Sequence, residues 1–204
     1  MSRADTAVIL DFETSGLSPD YGDRAIEIGA VKIVEGKVTG RFQSLINPGM
    51  YISSFIEDYT GITNAELKNA PTSEHVMSQF ADFIEGFNLI AHNASFDKRF
   101  LDAELRRVSQ DYTGTFACSM LTARRLLQGA PNHQLATLIR YAGIASDGSY
   151  HRALFDSEMT TKLWLHMLDD IQMKYEIEHI SFALIQKLSK KTKKSVHSFL
   201  ESCA

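Results

Sequence analysis

The run at residues 7–13, AVILDFE, constrains this chain more than any other segment. Its apolar, β-branched start reads as a buried strand, yet it ends in two carboxylates. Side chains alternate across a strand, so Asp11 and Glu13 point to the same face. A fold that buries this strand must bring two acids to the edge of its core. Alone, Asp-x-Glu also suits a strand end emerging into solvent, so its meaning depends on what else the chain places beside it.

The segments that follow define the layers. Thr14-Ser15-Gly16 and Ser18-Pro19-Asp20 are turn chemistry. Residues 25–34 (AIEIGAVKIV) form a second strand, Glu35-Gly36-Lys37 a tight turn, and residues 38–46 a third strand, the last two pairing as an antiparallel hairpin. Beyond Asn47-Pro48-Gly49 the pattern alternates. A helix is expected at 73–85, a strand at 88–91, a helix at 95–108, a fifth strand at 115–118, and helices at about 119–128, 134–142 and 153–170. All four prolines fall in predicted loops. The expectation is an α/β layer fold with one mixed sheet. A soft boundary near residue 172 divides a 1–172 domain from a 173–204 appendage of two short helices (about 176–189 and 192–202), packed on that domain or trailing it.

Two of the helices begin oddly. Counting from Asp97, the residues Phe100, Leu101, Leu105 and Val108 make one apolar stripe. Counting from Asp156, Met159, Thr160, Leu163, Trp164 and Met167 make another. Each helix therefore leads its buried face with a carboxylate, which is costly unless something compensates it. A favourable helix N-terminus or a Lys or Arg partner explains either helix separately, but not their company with Asp11 and Glu13. Four carboxylates converging on one cleft call for a cation, and oxygen donors suit Mg²⁺ or Mn²⁺. His151 precedes Asp156 by five residues. On a helix that spacing puts the two about 140° apart, so His151 serves the same site only from the loop before the helix, where Gly148, Ser149 and Tyr150 stand.

Composition sets outer limits. With 204 residues and 44% apolar content, the chain suits one compact domain. A net charge of −4 argues against coating nucleic acid by bulk charge. The charge is uneven, because residues 187–194 (KLSKKTKK) hold five Lys and no acid. That stretch reads as a solvated helix junction or as an electrostatic guide for a nucleic-acid strand. Cys118 and Cys203 form neither a disulfide framework nor a zinc spacing, which suggests the cytoplasm. No apolar stretch approaches a membrane span, and no signal-peptide pattern precedes the first strand.

Three ordered motifs now carry a resemblance. Asp11-Phe12-Glu13-Thr14-Ser15-Gly16-Leu17, His92-Asn93-Ala94-Ser95-Phe96-Asp97 and His151-Arg152-Ala153-Leu154-Phe155-Asp156 resemble those of the DEDDh (DnaQ-like) 3′→5′ exonucleases. That family includes the proofreading epsilon subunit of bacterial DNA polymerase III and ribonuclease T. Ile26-Glu27-Ile28-Gly29 and Gly61-Ile62-Thr63 are secondary matches, and the similarity spans roughly residues 7–170. His lies five before the last Asp, as in the h-type. The y-type would place Tyr at position 152, where this chain has Arg152. Phe12 and Thr60 depart from residues common in the family.

The resemblance implies a ribonuclease H-like fold, with a central five-stranded mixed sheet, one strand antiparallel, flanked by helices. It implies two Mg²⁺ or Mn²⁺ ions. Asp11, Glu13 and Asp156 would hold the first, Asp11 would bridge to the second with the scissile phosphate, and Asp97 would contribute directly or through water. His151 would be the general base. For the substrate, a single-stranded DNA 3′ end, it implies Leu17 as a wedge, Phe96 as a stacking surface, Thr14 meeting the 3′ hydroxyl through its backbone, and His92 and Asn93 lining the pocket. Core packing accounts equally well for Leu17 and Phe96. Other readings are an exoribonuclease of the same fold and a non-catalytic nucleic-acid-binding adaptor, the latter expected to show a broken motif set. The tail carries no clamp-binding motif, so a stand-alone exonuclease is favoured over a polymerase-associated one.

Overall fold

A computed structural model describes residues 2–146 and 152–203. Strands β1 (Ala7–Thr14), β2 (Ala25–Val34) and β3 (Lys37–Leu45) come first. Helices α1 (Ser54–Thr60), α2 (Asn64–Asn69) and α3 (Ser73–Ile84) follow. Then come β4 (Leu89–Ala91), α4 (Ala94–Arg107), β5 (Phe116–Cys118), α5 (Ser119–Leu126) and α6 (Leu135–Tyr141). The chain ends with α7 (Ala153–Tyr175), α8 (Phe182–Ser189) and α9 (Val196–Glu201). The sheet order is β3-β2-β1-β4-β5. β2 runs antiparallel to both its neighbours, while β1, β4 and β5 are parallel. This is the expected mixed sheet with one antiparallel strand, flanked by helices in the ribonuclease H-like manner.

The central strand divides the core by residue parity. Val8, Leu10 and Phe12 pack with Phe80 of α3 and Phe100 of α4. Ala7 and Ile9 pack with Leu163 and Trp164 of α7. Both layers are fully closed at their largest side chains, Trp164, Phe80 and Phe100, and each such burial contributes roughly 1.5–3 kcal/mol. Asp11 and Glu13 continue the odd-numbered series, so they emerge on the α7 side just where that apolar layer ends.

Several elements differ from the sequence expectation. α7 runs to Tyr175, beyond residue 170, and stops where Glu176 turns left-handed at φ 54°. α8 accordingly starts at Phe182 rather than near 176. Its Phe182, Ile185 and Leu188, with Val196 and Leu200 of α9, are buried in the same layer as Trp164. α1 and α2 were not anticipated. They fold on local caps: Ser53 accepts from Ile56 N–H, and Thr63 with Glu66 forms a reciprocal capping box. Ile52, Ile62 and Leu67 then pin this pair of helices to Ile26 of β2. Cys118 is half-buried and Cys203 exposed, both as free thiols. Among the described residues no helix is long and apolar enough to cross a membrane.

Candidate active site

The carboxylates meet where the C-terminal end of β1 faces the N-terminal end of α7. One oxygen each from Asp11, Glu13 and Asp156 lies within 4.8 Å of the others. Strand alternation supplies the first two, and the first turn of α7 supplies the third. The close approach depends on Gly29, which pairs with Asp11 across β1 and β2. A Cβ at that position would stand 2.0 Å from the backbone nitrogen of Leu154. Ser157 Oγ donates to Gly29 O at 2.9 Å and closes the same contact. α7 therefore begins flush against the sheet.

Asp97 arrives from the opposite layer. It is 2% exposed, and its Oδ1 accepts the Phe12 N–H at 3.2 Å. The amide it binds lies between Asp11 and Glu13, so Asp97 supports the strand end from behind. The tight oxygen cluster comprises the other three carboxylates.

Electrostatics make this arrangement costly. Burial first, then the charges of Asp97, Glu13, Asp156 and Glu27, push Asp11 well above the usual carboxylate range. Burial, with Asp156 and Glu27 beside it, raises Glu13 to about 8. Burial raises Asp97 to about 7, even though hydrogen bonds from the Phe12 and Asp97 amides act against it. Such acids ionise together only with a compensating cation. The donor set is entirely carboxylate oxygen, which fits a hard divalent ion.

Glu27 is a neighbouring carboxylate with a different fate. Fully buried, it sits opposite Glu13 in the β1–β2 register. It accepts from Arg152 Nη2 at 2.9 Å, Gln43 Nε2 at 3.0 Å and the Ala153 N–H at 3.1 Å. No side chain of α7 itself caps that helix, so Glu27 supplies the acceptor from the strand.

The carboxylates form the floor of a cleft of about 760 Å³. Leu17 (79% exposed) and Phe55 (70% exposed) stand on its walls with Tyr59, Phe96 and His92. The exposure of Leu17 removes core packing as its role. Phe96 is half-buried, with its ring centroid 5.0 Å from that of Phe100. Thr14 also lines the cleft, its Oγ1 donating to Gly16 O at 2.6 Å. Both ring nitrogens of His92 are engaged, with Ser119 Oγ at 2.8 Å and His133 O at 3.0 Å. Burial lowers its pKa to about 4, so it presents a neutral ring. Asn93, next to His92, is exposed. It takes the left-handed conformation at φ 72° that starts α4, which Asn tolerates better than most residues. His151 lies outside the described residues.

Four residues escaped the sequence reading: Glu27, Gly29, Phe55 and Tyr59. Phe55 and Tyr59 stack at 6.1 Å with an interplanar angle of 12°. Their signal was available in Ser53 and Gly61, which bracket α1 as start and stop residues. Glu27 and Gly29 stood in the secondary motif without an assigned task.

Residues 8–164 match the family model described as Exonuclease (RNase_T). The PolC-type DNA polymerase III of Caldanaerobacter subterraneus subsp. tengcongensis is 36% identical over 165 residues, covering 81% of this chain and 12% of that protein. The PolC-type enzyme of Bacillus cereus is 36% identical over 168 residues, covering 82% and 12%. The chain thus spans about an eighth of the length of these curated relatives. Among solved structures, exonuclease X in complex with 5′ overhanging duplex DNA superposes with a TM-score of 0.66 at 28% identity, covering 80% of this chain and 92% of that one. The nuclease domain of 3′hExo, a DEDDh family member bound to rAMP, shares the fold with a TM-score of 0.69 at 21% identity, covering 81% and 92%. The carboxylate floor, the sheet order and these matches agree: this chain is an exonuclease domain of the DEDDh, DnaQ-like family.

Proposed function

We propose that the chain hydrolyses the terminal phosphodiester at the 3′ end of single-stranded DNA. The observation that carries this reading is the convergence of Asp11, Glu13 and Asp156 on the floor of an open, aromatic-walled cleft. Family membership implies divalent metal ions. Two Mg²⁺ or Mn²⁺ ions are the proposed occupants, held by Asp11, Glu13 and Asp156, with Asp97 contributing from behind the strand. When bound, such ions acidify water and neutralise charge on the phosphate.

The protein's own residues divide the remaining work. His151, five residues before Asp156 in the sequence, takes the proton from the attacking water. Leu17 and Phe96 separate and stack the terminal base, and Phe55 and Tyr59 extend that apolar wall. Thr14 and His92 shape the pocket around the terminal sugar. Residues 1–172 form the catalytic unit, with 173–204 packed against it. The PolC-type relatives are DNA polymerases, and the reading extends to action beside a polymerase.

Digestion of end-labelled single- and double-stranded DNA and RNA of one sequence tests the reading. Release of mononucleotides from DNA 3′ ends with Mn²⁺, and its loss with chelator, is expected. Asp11→Asn lowers the rate at least about a hundredfold, the scale of losing one preorganised charge-stabilising group. Wild-type turnover by that variant overturns the assignment, and preferential digestion of RNA transfers it to the exoribonuclease class.

A further inference from the structure

A second cleft, of about 570 Å³, opens between the C-terminal half of α7, the end of α5 and the turn leading into α9. Arg125, Lys174 and Lys193 line it. Among the described residues, none of these three side chains meets a carboxylate. The one acid on the lining, Asp170, faces His166 at 3.9 Å. Arg125 Nε is buried with no hydrogen-bond acceptor, which is expensive for a charged donor. The walls are joined, because Gln128 Nε2 donates to both Arg125 O at 2.9 Å and Lys193 O at 3.1 Å. His197 and Tyr175 complete the rim, Nδ1 to Oη at 3.3 Å. The cations thus stand around one built groove instead of scattering over a solvated surface.

We propose that this groove holds the phosphodiester backbone of the substrate strand upstream of its 3′ end; the proposal rests on the exonuclease reading. The protein carries a net charge of −4, and its active cleft is itself acidic. A polyanion approaching it needs a local positive track. α7 provides the ruler. Asp156 lies in its first turn, and His166 and Lys174 lie ten and eighteen residues further on. At 1.5 Å per residue the groove extends from roughly 15 to 27 Å from the carboxylates. A stacked strand advances about 3.4 Å per nucleotide. The groove therefore meets nucleotides about four to eight steps from the cleaved end, and a shorter substrate never reaches it.

The test compares wild type with Arg125→Gln/Lys174→Gln/Lys193→Gln, and with the control Lys37→Gln/Lys68→Gln/Arg106→Gln, whose side chains are exposed and lie off α7. Fluorescence anisotropy in chelator reads the binding of labelled single-stranded DNA about 20 and about three nucleotides long across a salt series. The groove variant should bind the long strand about tenfold more weakly at low salt. Its salt slope should fall by about two, at about 0.7 per lost phosphate contact on a single strand. Its binding and hydrolysis of the short strand should match wild type, and the control should match throughout. Equal affinity and slope for the long strand in wild type and groove variant overturn the proposal. Equal weakening on both lengths overturns it as well. Absence of hydrolysis on every substrate overturns the exonuclease reading instead, and the anisotropy still decides the groove.

Discussion

The carboxylate of Glu27 on β2 accepts the backbone N–H of Ala153 at 3.1 Å, and this bond sets where α7 begins and hence where Asp156 stands. The same carboxylate holds Arg152 at 2.9 Å. Removing it leaves a helix N-terminus uncapped and a guanidinium without its partner. Glu27→Ala should destabilise the fold by roughly 1–3 kcal/mol and lower kcat more than it raises KM, because the carboxylate triangle opens. Denaturant melts paired with steady-state kinetics check this. A variant with reduced stability but wild-type kcat would show that Glu27 holds the fold without positioning Asp156.

Gly29 leads to a sharper expectation. A methyl group there would sit 2.0 Å from Leu154 N, which is backbone and cannot rotate away. Gly29→Ala should push the start of α7 off the sheet at a cost of about 1–3 kcal/mol. Hydrolysis should fall at least about tenfold, since misplacement of about 1 Å is felt strongly at a reacting centre. Unaltered Mn²⁺ affinity and turnover in a folded Gly29→Ala protein would refute this role.

The raised carboxylates make stability depend on pH and metal together. Glu13 is lifted from 4.5 to about 8, and Asp97 from 3.8 to about 7. In that window the folded state binds more protons than the unfolded one, so stability falls as pH rises from about 4 towards 8. In chelator, Tm should therefore be lower at about pH 8 than at about pH 5. Millimolar Mn²⁺ should raise Tm, and more so at the higher pH, because the ion competes with protons for the same oxygens. Thermal melts at both pH values decide the matter. A Tm indifferent to Mn²⁺ at pH 8 counts against a preformed metal site.

Phe55 and Tyr59 offer their stacked faces to solvent beside the carboxylates. Burial, and then the fields of Glu13, Asp156 and Asp11, raise the Tyr59 hydroxyl, which places that ring close to the reacting end. Base–aromatic stacking is worth about 1–3 kcal/mol per base. Phe55→Ala and Tyr59→Ala should each raise KM for oligonucleotides about fivefold or more with little loss of stability, both rings being exposed. Unchanged kinetics in the double variant would assign the pair to another surface role.

The long, periodic elements were legible because burial writes itself into their residue types. The stripe from Asp97 to Leu105 and the one from Asp156 to Met167 marked α4 and α7, and both turned out to be buried faces. α1 and α2 were not legible by periodicity, since six or seven residues are too few to display a 3.6-residue repeat. Only their caps announced them. Within the site, the acids could be read from their cost. Glu27 could not be separated from them by type alone, because its distinction lies in Arg152, a residue 125 positions away that pairs with it only once β2 and α7 meet. Asn93 stands between His92 and Phe96 of the cleft, and its left-handed backbone at the start of α4 was not legible from its residue type alone.

The bond from the Phe12 N–H to Asp97 ties α4 to the central strand. Phe12 belongs to the α3–α4 layer, and its neighbours Asp11 and Glu13 look towards α7. Neither layer can loosen by itself without disturbing the acids. The catalytic floor is thereby tied to β1, the central strand of the sheet, so any opening that parts α4 or α7 from β1 should cost activity.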